Sequence, residues 1–567
     1  MQYKWNIRES NPEKINEIAQ QNQVPIAVAT TLLNRGLIQS ETIQHFFSPS
    51  IADLYDPFRM MDMEKAVTRL SLAIQRKEKI GIFGDYDVDG TTATTLLFLF
   101  LQNLQIDTIY YIPDREKEGY GLSQKGIDVA VRAGCHLIIT CDSGISGIEE
   151  VDYANQQGLD VIVTDHHEPG PVLPRAHAIL DPKRSDDAYP FKELCGAGVA
   201  FKLLQGLSIQ NQLPLEDLYQ HLDLVAVGTA ADIVPILDEN RAIVAAGLEH
   251  LNSTQKVGLR ALLEIAGMGN QRISVVNIVF GIAPRLNAAG RLGDALNAIN
   301  LLGSREREEA SHLARLLDQL NRHRQSIERA TIDSAILQLN ATHDLKRDKI
   351  IILDDTSWHQ GVIGIVASKL KEIYNRPVVL ISFTDETGKG SARSIPGFDL
   401  YSALSQCSEL LDSFGGHKMA AGLTISEQQM EAFRQRLKEI AAAHISEEML
   451  SPELIIEGLI HLHDINQNLI DFLQKMAPYG PGNMRPIFYA KNLGVSGIPR
   501  LIGENHLKFK ATQDRIVISA IGWKQADKYE MLVSNRPLDI AFVIEENHWR
   551  GLKEIQLNVK DIRYSGE

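Results

Sequence analysis

The sequence predicts an α/β protein: a parallel-sheet domain joined by a long helix to a smaller α/β domain, with a β domain after them. Three observations lead there. Between about residues 62 and 170 short apolar runs alternate with helical stretches, the pattern of a parallel sheet covered on both faces. No glycine or proline occurs between Gly303 and Gly361, so one helix can run there unbroken. After residue 452 short alternating strands take over.

Each element follows in order. Residues 11–50 read as short helices, starting at Asn11-Pro12-Glu13 and broken at Ser48-Pro49. The runs Ile80–Phe83, Thr108–Ile112, Leu137–Cys141 and Val161–Thr164 are the expected sheet strands. Pro182–Lys192 is a polar connection, and Leu222–Val234 leads into the stretch GTAADIVP. Leu313, Leu316, Leu317, Leu320, Ile327 and Ile336 fall near helical spacing, which places a connecting helix over 304–345. Lys349–Leu353 opens the second α/β unit, and Ile516–Ile521, Leu538–Ile544 and Glu554–Val559 are strands of the last domain. The expected division is 1–50, 51–303, 304–345, 346–448 and 449–567.

Bulk properties narrow the function classes. A chain of 567 residues exceeds one hydrophobic core. Its 44% hydrophobic and 23% charged residues are those of a soluble globular protein. No apolar run approaches a membrane span, and the opening MQYKWNIRES lacks a secretory pattern. The four cysteines (Cys135, Cys141, Cys195, Cys407) form no CxxC pair, so neither a disulfide framework nor a zinc knuckle is indicated and a reducing cytoplasm is the expected setting. The net charge of −15 argues against indiscriminate binding to phosphate backbones, while leaving room for one basic groove.

The chemistry is concentrated at strand ends. GDYDVDG (84–90) puts Asp85, Asp87 and Asp89 directly after the first strand, Asp142 follows the third, and Asp165-His166-His167 follow the fourth. Parallel sheets of this kind collect ligands at the carboxyl ends of their strands. Converging carboxylates repel unless a cation compensates or they protonate. A divalent metal is the direct solution, with imidazole a normal companion ligand. The acidic groups exceed the needs of one ion, and two ions roughly 3.5–4 Å apart would use them all in phosphoryl displacement. Any one of these signals alone is ordinary turn chemistry; three in equivalent places are not. A dinucleotide site fails, because carboxylates stand where pyrophosphate would have to approach.

Asp165-His166-His167, with GDYDVDG and CDSG upstream, resembles the DHH phosphoesterase superfamily. YYIPDREKEGYGLS (110–123), VGTAADIVP (227–235), FGIAPRLNAAGRLGDA (280–295), WHQGVIGIVASKL (358–370), GSARS (390–394), FGGHKMAAGL (414–423) and APYGPGNMRPIF (477–488) together resemble the RecJ family of single-strand-specific DNA exonucleases. The likeness runs from about residue 45 to the end. It implies a DHH domain and a DHH-associated domain with a cleft between them, and an OB-like nucleic-acid-binding domain beyond. It also implies a hydrolase that digests single-stranded DNA 5′→3′ to mononucleotides in recombination and repair, using two Mn²⁺ or Mg²⁺ ions. Single-strand binding protein and a helicase are partners expected by family alone, and no membrane is involved.

Carried over by motif, the metal ligands are Asp85, Asp87, Asp89, Asp142, His166 and Asp232, with Asp223 the alternative for the last. His167 would contact the scissile phosphate or a metal, and Asp165 would support the histidines. Some relatives carry His where this chain has Phe83, which implies a thinner shell for one metal or a larger share for Asp85. Arg115, Ser391 and Arg393 are expected to hold the terminal 5′-phosphate, although Arg115 on spacing alone reads as a salt bridge to Glu116 or Glu118. Gly388 and Gly390 would let that phosphate approach the backbone. Arg285, Asn287 and Arg291 are expected along the DNA path. Gly415-Gly416 reads as a tight turn before a packed helix, with His417 near the scissile bond. Tyr479, Phe488, Tyr489 and Phe509, beside Lys508 and Lys510, are candidates for base stacking, core packing being their more ordinary role. Two other readings stand beside this one: another DHH-superfamily phosphoesterase (oligoribonuclease, pyrophosphatase or cyclic-dinucleotide phosphodiesterase), or a non-catalytic single-strand-binding scaffold.

Overall fold

Five parallel strands form the first sheet, in spatial order Thr108–Tyr111, Lys79–Gly84, Cys135–Cys141, Asp160–Thr164 and Ala178–Leu180. In chain order that is 2-1-3-4-5, so the topology reverses between Lys79–Gly84 and Cys135–Cys141, which pair directly. Crevices form where such a reversal occurs. Ile80, Ile82 and Phe83 are all buried, as a sheet covered on both faces requires. Ala178–Leu180, three residues long, is a strand that no sequence run announced.

The structure, a computed structural model, describes residues 3–9, 11–115, 117–549 and 552–566. It divides into two compact units, Leu54–Ser451 and the combination of Met1–Asp53 with Pro452–Glu567. In the first, the helix Val88–Asn103 leaves the sheet with the Asp87 side chain as its cap, accepting from Gly90 N. Thr91, Thr92 and Thr95 turn their hydroxyls onto carbonyls one turn back, which lets the polar first half of the helix be buried. A helix of 36 residues, Arg307–Thr342, leads to a second sheet. That sheet runs Ser413–His417, Ala420–Ser426, Thr387–Arg393, Val378–Thr384, Ile351–Asp355, with only the last two strands parallel.

One sequence reading is corrected here. The FGGHKMAAGL stretch is a β-hairpin, not a turn followed by a helix: Ser413–His417 pairs antiparallel with Ala420–Ser426. The alternation of buried Ala421, Leu423 and Ile425 drives it. Gly388 and Gly390 lie inside the strand Thr387–Arg393, and a Cβ on either would meet Phe383, Ile381 or Leu423 at 2.7–2.8 Å. They make room for core side chains.

In the other unit, Lys4–Ile7 pairs in parallel with Glu453–Ile456. Seven strands between Gly458 and Tyr564 form a sheet that closes through pairing of Phe488–Val495 with His506–Gln513, the arrangement of an OB-like barrel. Its core also takes Ile18, Val28, Leu32 and Phe46 from the helices near the start of the chain. Phe488, Tyr489 and Phe509 are buried, and Tyr479 is half-buried against the same core, so none of them offers a free stacking face.

Candidate active site

Eight of the expected residues converge at the carboxyl edge of the first sheet. Ligand atoms of Asp85, Asp87 and Asp142, of Asp142, His166 and His167, and of Asp89, His166 and Asp232 lie within 4.8 Å of one another in each group. His166 is the hinge: its Nε2 stands 3.0 Å from Asp142, 3.6 Å from Asp232 and 3.8 Å from Asp89.

Each side chain is placed by a local device. Asp89, in the first turn of its helix, is gripped by two amides of another: Gly196 N donates at 2.5 Å and Ala197 N at 2.9 Å, at the start of the helix Gly196–Gln210. Asp142 leaves its strand in the left-handed region, φ 58°, which aspartate tolerates. Asp165 is fully occupied, accepting from Ile145 N (2.9 Å), His166 N (2.7 Å) and His167 N (3.2 Å) and meeting His167 Nδ1 at 2.7 Å. Asp232 follows the last turn of Leu222–Ala231. Ile233 after it has φ 65° and is 62% exposed, a backbone state that costs a β-branched residue about 1–3 kcal/mol.

The electrostatics are those of charges held apart from water. Burial, then the charge of Asp87, pushes Asp85 well above the usual carboxylate range. Burial and Asp87 move Asp89 up to about 6, and burial with Asp89 moves Asp232 up to about 9. Asp142 is raised well above its ordinary value by burial and by the surrounding aspartates. Burial and the neighbouring His167 depress His166 to about 3. For His167 burial opposes the charge, but the bond to Asp165 and the nearby carboxylates prevail and raise it to about 9.

Three further positions complete the picture. Asp181, directly after Ala178–Leu180, is buried and raised to about 7 by burial; its strand is too short to signal in a sequence. Tyr120 donates its hydroxyl to the Asp142 carbonyl at 2.6 Å and stands 3.0 Å from His167 Nδ1. Gly196 approaches so closely that a Cβ there would lie 2.5 Å from Asp142 Cβ. Both of the last two act through loop geometry, which leaves no sequence pattern.

Asp223 does not join this group. It is buried at the opposite end of its helix, bonded to Lys256 at 2.8 and 2.9 Å and to Thr254 at 3.0 Å. Phe83 packs against Tyr111 in the core, ring centroids 5.4 Å apart.

The basic residues form a second cluster beside the first. The Arg115 guanidinium lies over the Tyr86 ring, 5.0 Å from its centroid. Glu118 is turned instead to Tyr111, Ser123 and Lys125, and Glu116 lies outside the described residues. Arg291 donates to the Gly361 carbonyl at 3.1 Å; burial, then Arg115 and Arg324, lower it to about 10. Arg393 donates to Ser391 Oγ at 3.1 Å and is lowered by burial and by Arg115. His417 is exposed and sits in one row of the second sheet with Ala420 and Arg393. Arg285, expected along the DNA path, is committed to Asp318 at 2.9 Å on the long helix and to the Gly281 carbonyl at 2.6 Å. Asn287 is half-buried on the helix Ala283–Leu292 that also carries Arg291.

Three family models match in succession: the DHH family N-terminal domain over residues 79–229, the DHHA1 domain over 347–443 and the RecJ OB domain over 456–561. The single-stranded-DNA-specific exonuclease RecJ of Bacillus subtilis (strain 168) is 39% identical, over 99% of this chain and 71% of that protein. RecJ of Escherichia coli (strain K12) is 33% identical over 95% of this chain and 96% of its own length. The crystal structure of RecJ in complex with Mn²⁺ from Thermus thermophilus superposes with a TM-score of 0.85 at 31% identity, covering 100% of this chain and 80% of that one. No helix among the described residues is long and apolar enough to cross a membrane. On the strength of relatives matched over nearly its whole length, the chain belongs to the RecJ family.

Proposed function

We propose that this chain is a metal-dependent exonuclease that hydrolyses single-stranded DNA from its 5′ end to mononucleotides, in recombination and repair. One observation carries the reading. Asp85 Oδ1, Asp142 Oδ1 and both ring nitrogens of His166 are buried with no aligned hydrogen bond, His166 Nε2 merely facing Asp142 Oδ1 at 3.0 Å, inside a ring of carboxylates. Oxygen ligands with imidazole suit Mn²⁺ or Mg²⁺, and the acidic set fits two such ions. Asp85, Asp87, Asp89, Asp142, His166 and Asp232 would hold them. Bound there, the ions supply an activated water and stabilise the leaving oxygen.

The chain's own groups do the rest. Asp165 accepts from His167 Nδ1–H and keeps the ring charged, its pKa raised to about 9, so that Nε2 also carries a proton for a phosphate oxygen. Arg115 repels both Arg291 and Arg393, which are themselves half-buried, and a terminal 5′-phosphate, also met by Ser391, relieves that repulsion. Asn287 and His417 flank the strand. The barrel is assigned to strand binding on its match to the RecJ OB domain. Single-strand binding protein and a helicase are proposed partners on family membership alone. The cytoplasm is the proposed setting, consistent with four buried free cysteines.

The other phosphoesterase classes and the scaffold are not favoured, because the named relatives are single-stranded-DNA exonucleases over nearly the full length. Digestion of end-labelled single and double strands by chelated protein, before and after Mn²⁺ addition, tests the reading. The expected result is metal-restored release of mononucleotides from single strands with a 5′-phosphate. Preference for pyrophosphate or short RNA, or no recovery with metal, would overturn it.

A further inference from the structure

We infer that Ile233 contacts the nucleoside just beyond the scissile phosphate and so sets how the strand is seated. The inference rests on the exonuclease reading above.

A lone exposed isoleucine is ordinary on a protein surface. This one is not, because of where the backbone puts it. Asp232 ends the helix Leu222–Ala231, its amide donating to the Gly228 carbonyl at 2.9 Å. Ile233 is therefore the residue that turns left-handed past a helix end, a place that suits glycine or asparagine and, in this chain, is taken at other helix ends by the unbranched Gln23, Lys77 and Asn375. A glycine would take φ 65° without strain, yet here a β-branched side chain occupies the place and stands 62% exposed.

The turn cannot relax. Asn240, itself fully buried, donates to the Pro235 carbonyl at 3.0 Å and to the Glu193 carbonyl at 2.5 Å. Ile236 is fully buried three residues on. Ile233 is thus held between a helix end and a pinned proline, next in sequence to a carboxylate 3.6 Å from His166. Strain kept in this way beside a site is a mark of use.

The carboxylate cluster has two distinct flanks, which says what meets this side chain. Asp85 and Asp232 belong to different ligand groups; Arg115, over the ring of Tyr86, flanks the first, and Ile233 follows the second. A strand whose terminal phosphate is held by the arginines therefore crosses the carboxylates and leaves past Asp232. At that point the apolar neighbour is Ile233, and an apolar surface suits the sugar and base of the second nucleotide rather than its phosphate.

The test uses the full chain with Mn²⁺ on 5′-phosphorylated oligodeoxynucleotides carrying or lacking the base of the second nucleotide. Ile233→Gly and Ile233→Asn both accept the left-handed backbone, so folding is kept and Tm is equal or higher. In each, KM is expected to rise roughly tenfold with kcat within about threefold of the parent. The parent loses roughly tenfold in kcat/KM on the abasic strand, and the variants lose little more. If both variants keep the parental KM, or lose kcat with KM unchanged, Ile233 only orients Asp232 and the inference falls. If the unaltered chain does not degrade single-stranded DNA at all, the exonuclease reading falls instead.

Discussion

Asp89 and Gly196 are locked together: the Gly196 amide donates to Asp89 Oδ2 at 2.5 Å, while the missing Cβ of Gly196 leaves the space taken by Asp142. One backbone position thus registers two carboxylates against each other, and it does so from a helix start more than a hundred residues after Asp89.

Replacing that glycine tests the registration. Gly196→Ala places a methyl 2.5 Å from Asp142 Cβ and 2.8 Å from its Cα, so the Asp142 loop must shift. The expected loss in kcat is roughly a hundredfold or more, with a stability cost of about 1–3 kcal/mol. Steady-state kinetics beside thermal melting separate the two; an active enzyme with normal kcat would show that the registration is not required.

Asp142→Asn makes the opposite demand on stability. The native carboxylate is held far above its ordinary range by burial and by neighbouring aspartates, so its charge works against the metal-free fold. The amide is expected to raise the metal-free Tm by about 2 °C or more, while abolishing hydrolysis and weakening the Mn²⁺-induced shift. A lowered Tm would mean that Asp142 holds the loop by itself.

The pH dependence has a defined sign. In metal-free protein the raised carboxylates contribute stability that is complete below their ordinary pKa of 3.8 and is lost as pH rises through about 6 for Asp89 and about 9 for Asp232. His167, raised from 6.5 to about 9, loses its contribution in the same direction. His166, lowered to about 3, is neutral in the fold, and its opposite contribution is complete about one unit above its ordinary value of 6.5, beyond which it adds no slope. Metal-free Tm is therefore expected to fall from pH 6.5 to 9.5, while the gain on adding Mn²⁺ grows, since ligands must release protons to bind. Melting curves across that range decide it; a flat metal-free profile would refute the assignment.

Arg393→Ala probes the end-recognition cluster. KM for 5′-phosphorylated strands is expected to rise roughly tenfold, with little change for strands ending in 5′-hydroxyl. Equal effects on both ends would place Arg393 along the strand rather than at its terminus.

Much of this was legible in advance because parallel strands announce themselves as apolar runs and their carboxyl ends are where Asp85, Asp142 and His166 stand. What escaped has physical causes. Asp181 follows a strand of three residues, too short for any periodicity. The Gly196 and Ala197 amides hold Asp89 with backbone atoms, which every residue carries. Asp223 and Asp232 sit at opposite ends of one helix, and only the fold tells which end faces the histidines. That Gly388 and Gly390 lie inside a strand and clear space for Phe383 and Leu423 was equally hidden, since the side chains that need the room come from other strands.

The parallel pairing of Lys4–Ile7 with Glu453–Ile456 has a consequence for biogenesis. The first helices contribute Ile18, Leu32 and Phe46 to a core whose remaining members arrive between Ile460 and Ile562. A nascent chain must carry those early apolar faces uncovered while the whole of Leu54–Ser451 is translated and folds. One part of this unit is thus made well before the part that closes it, and meanwhile depends on protection from aggregation.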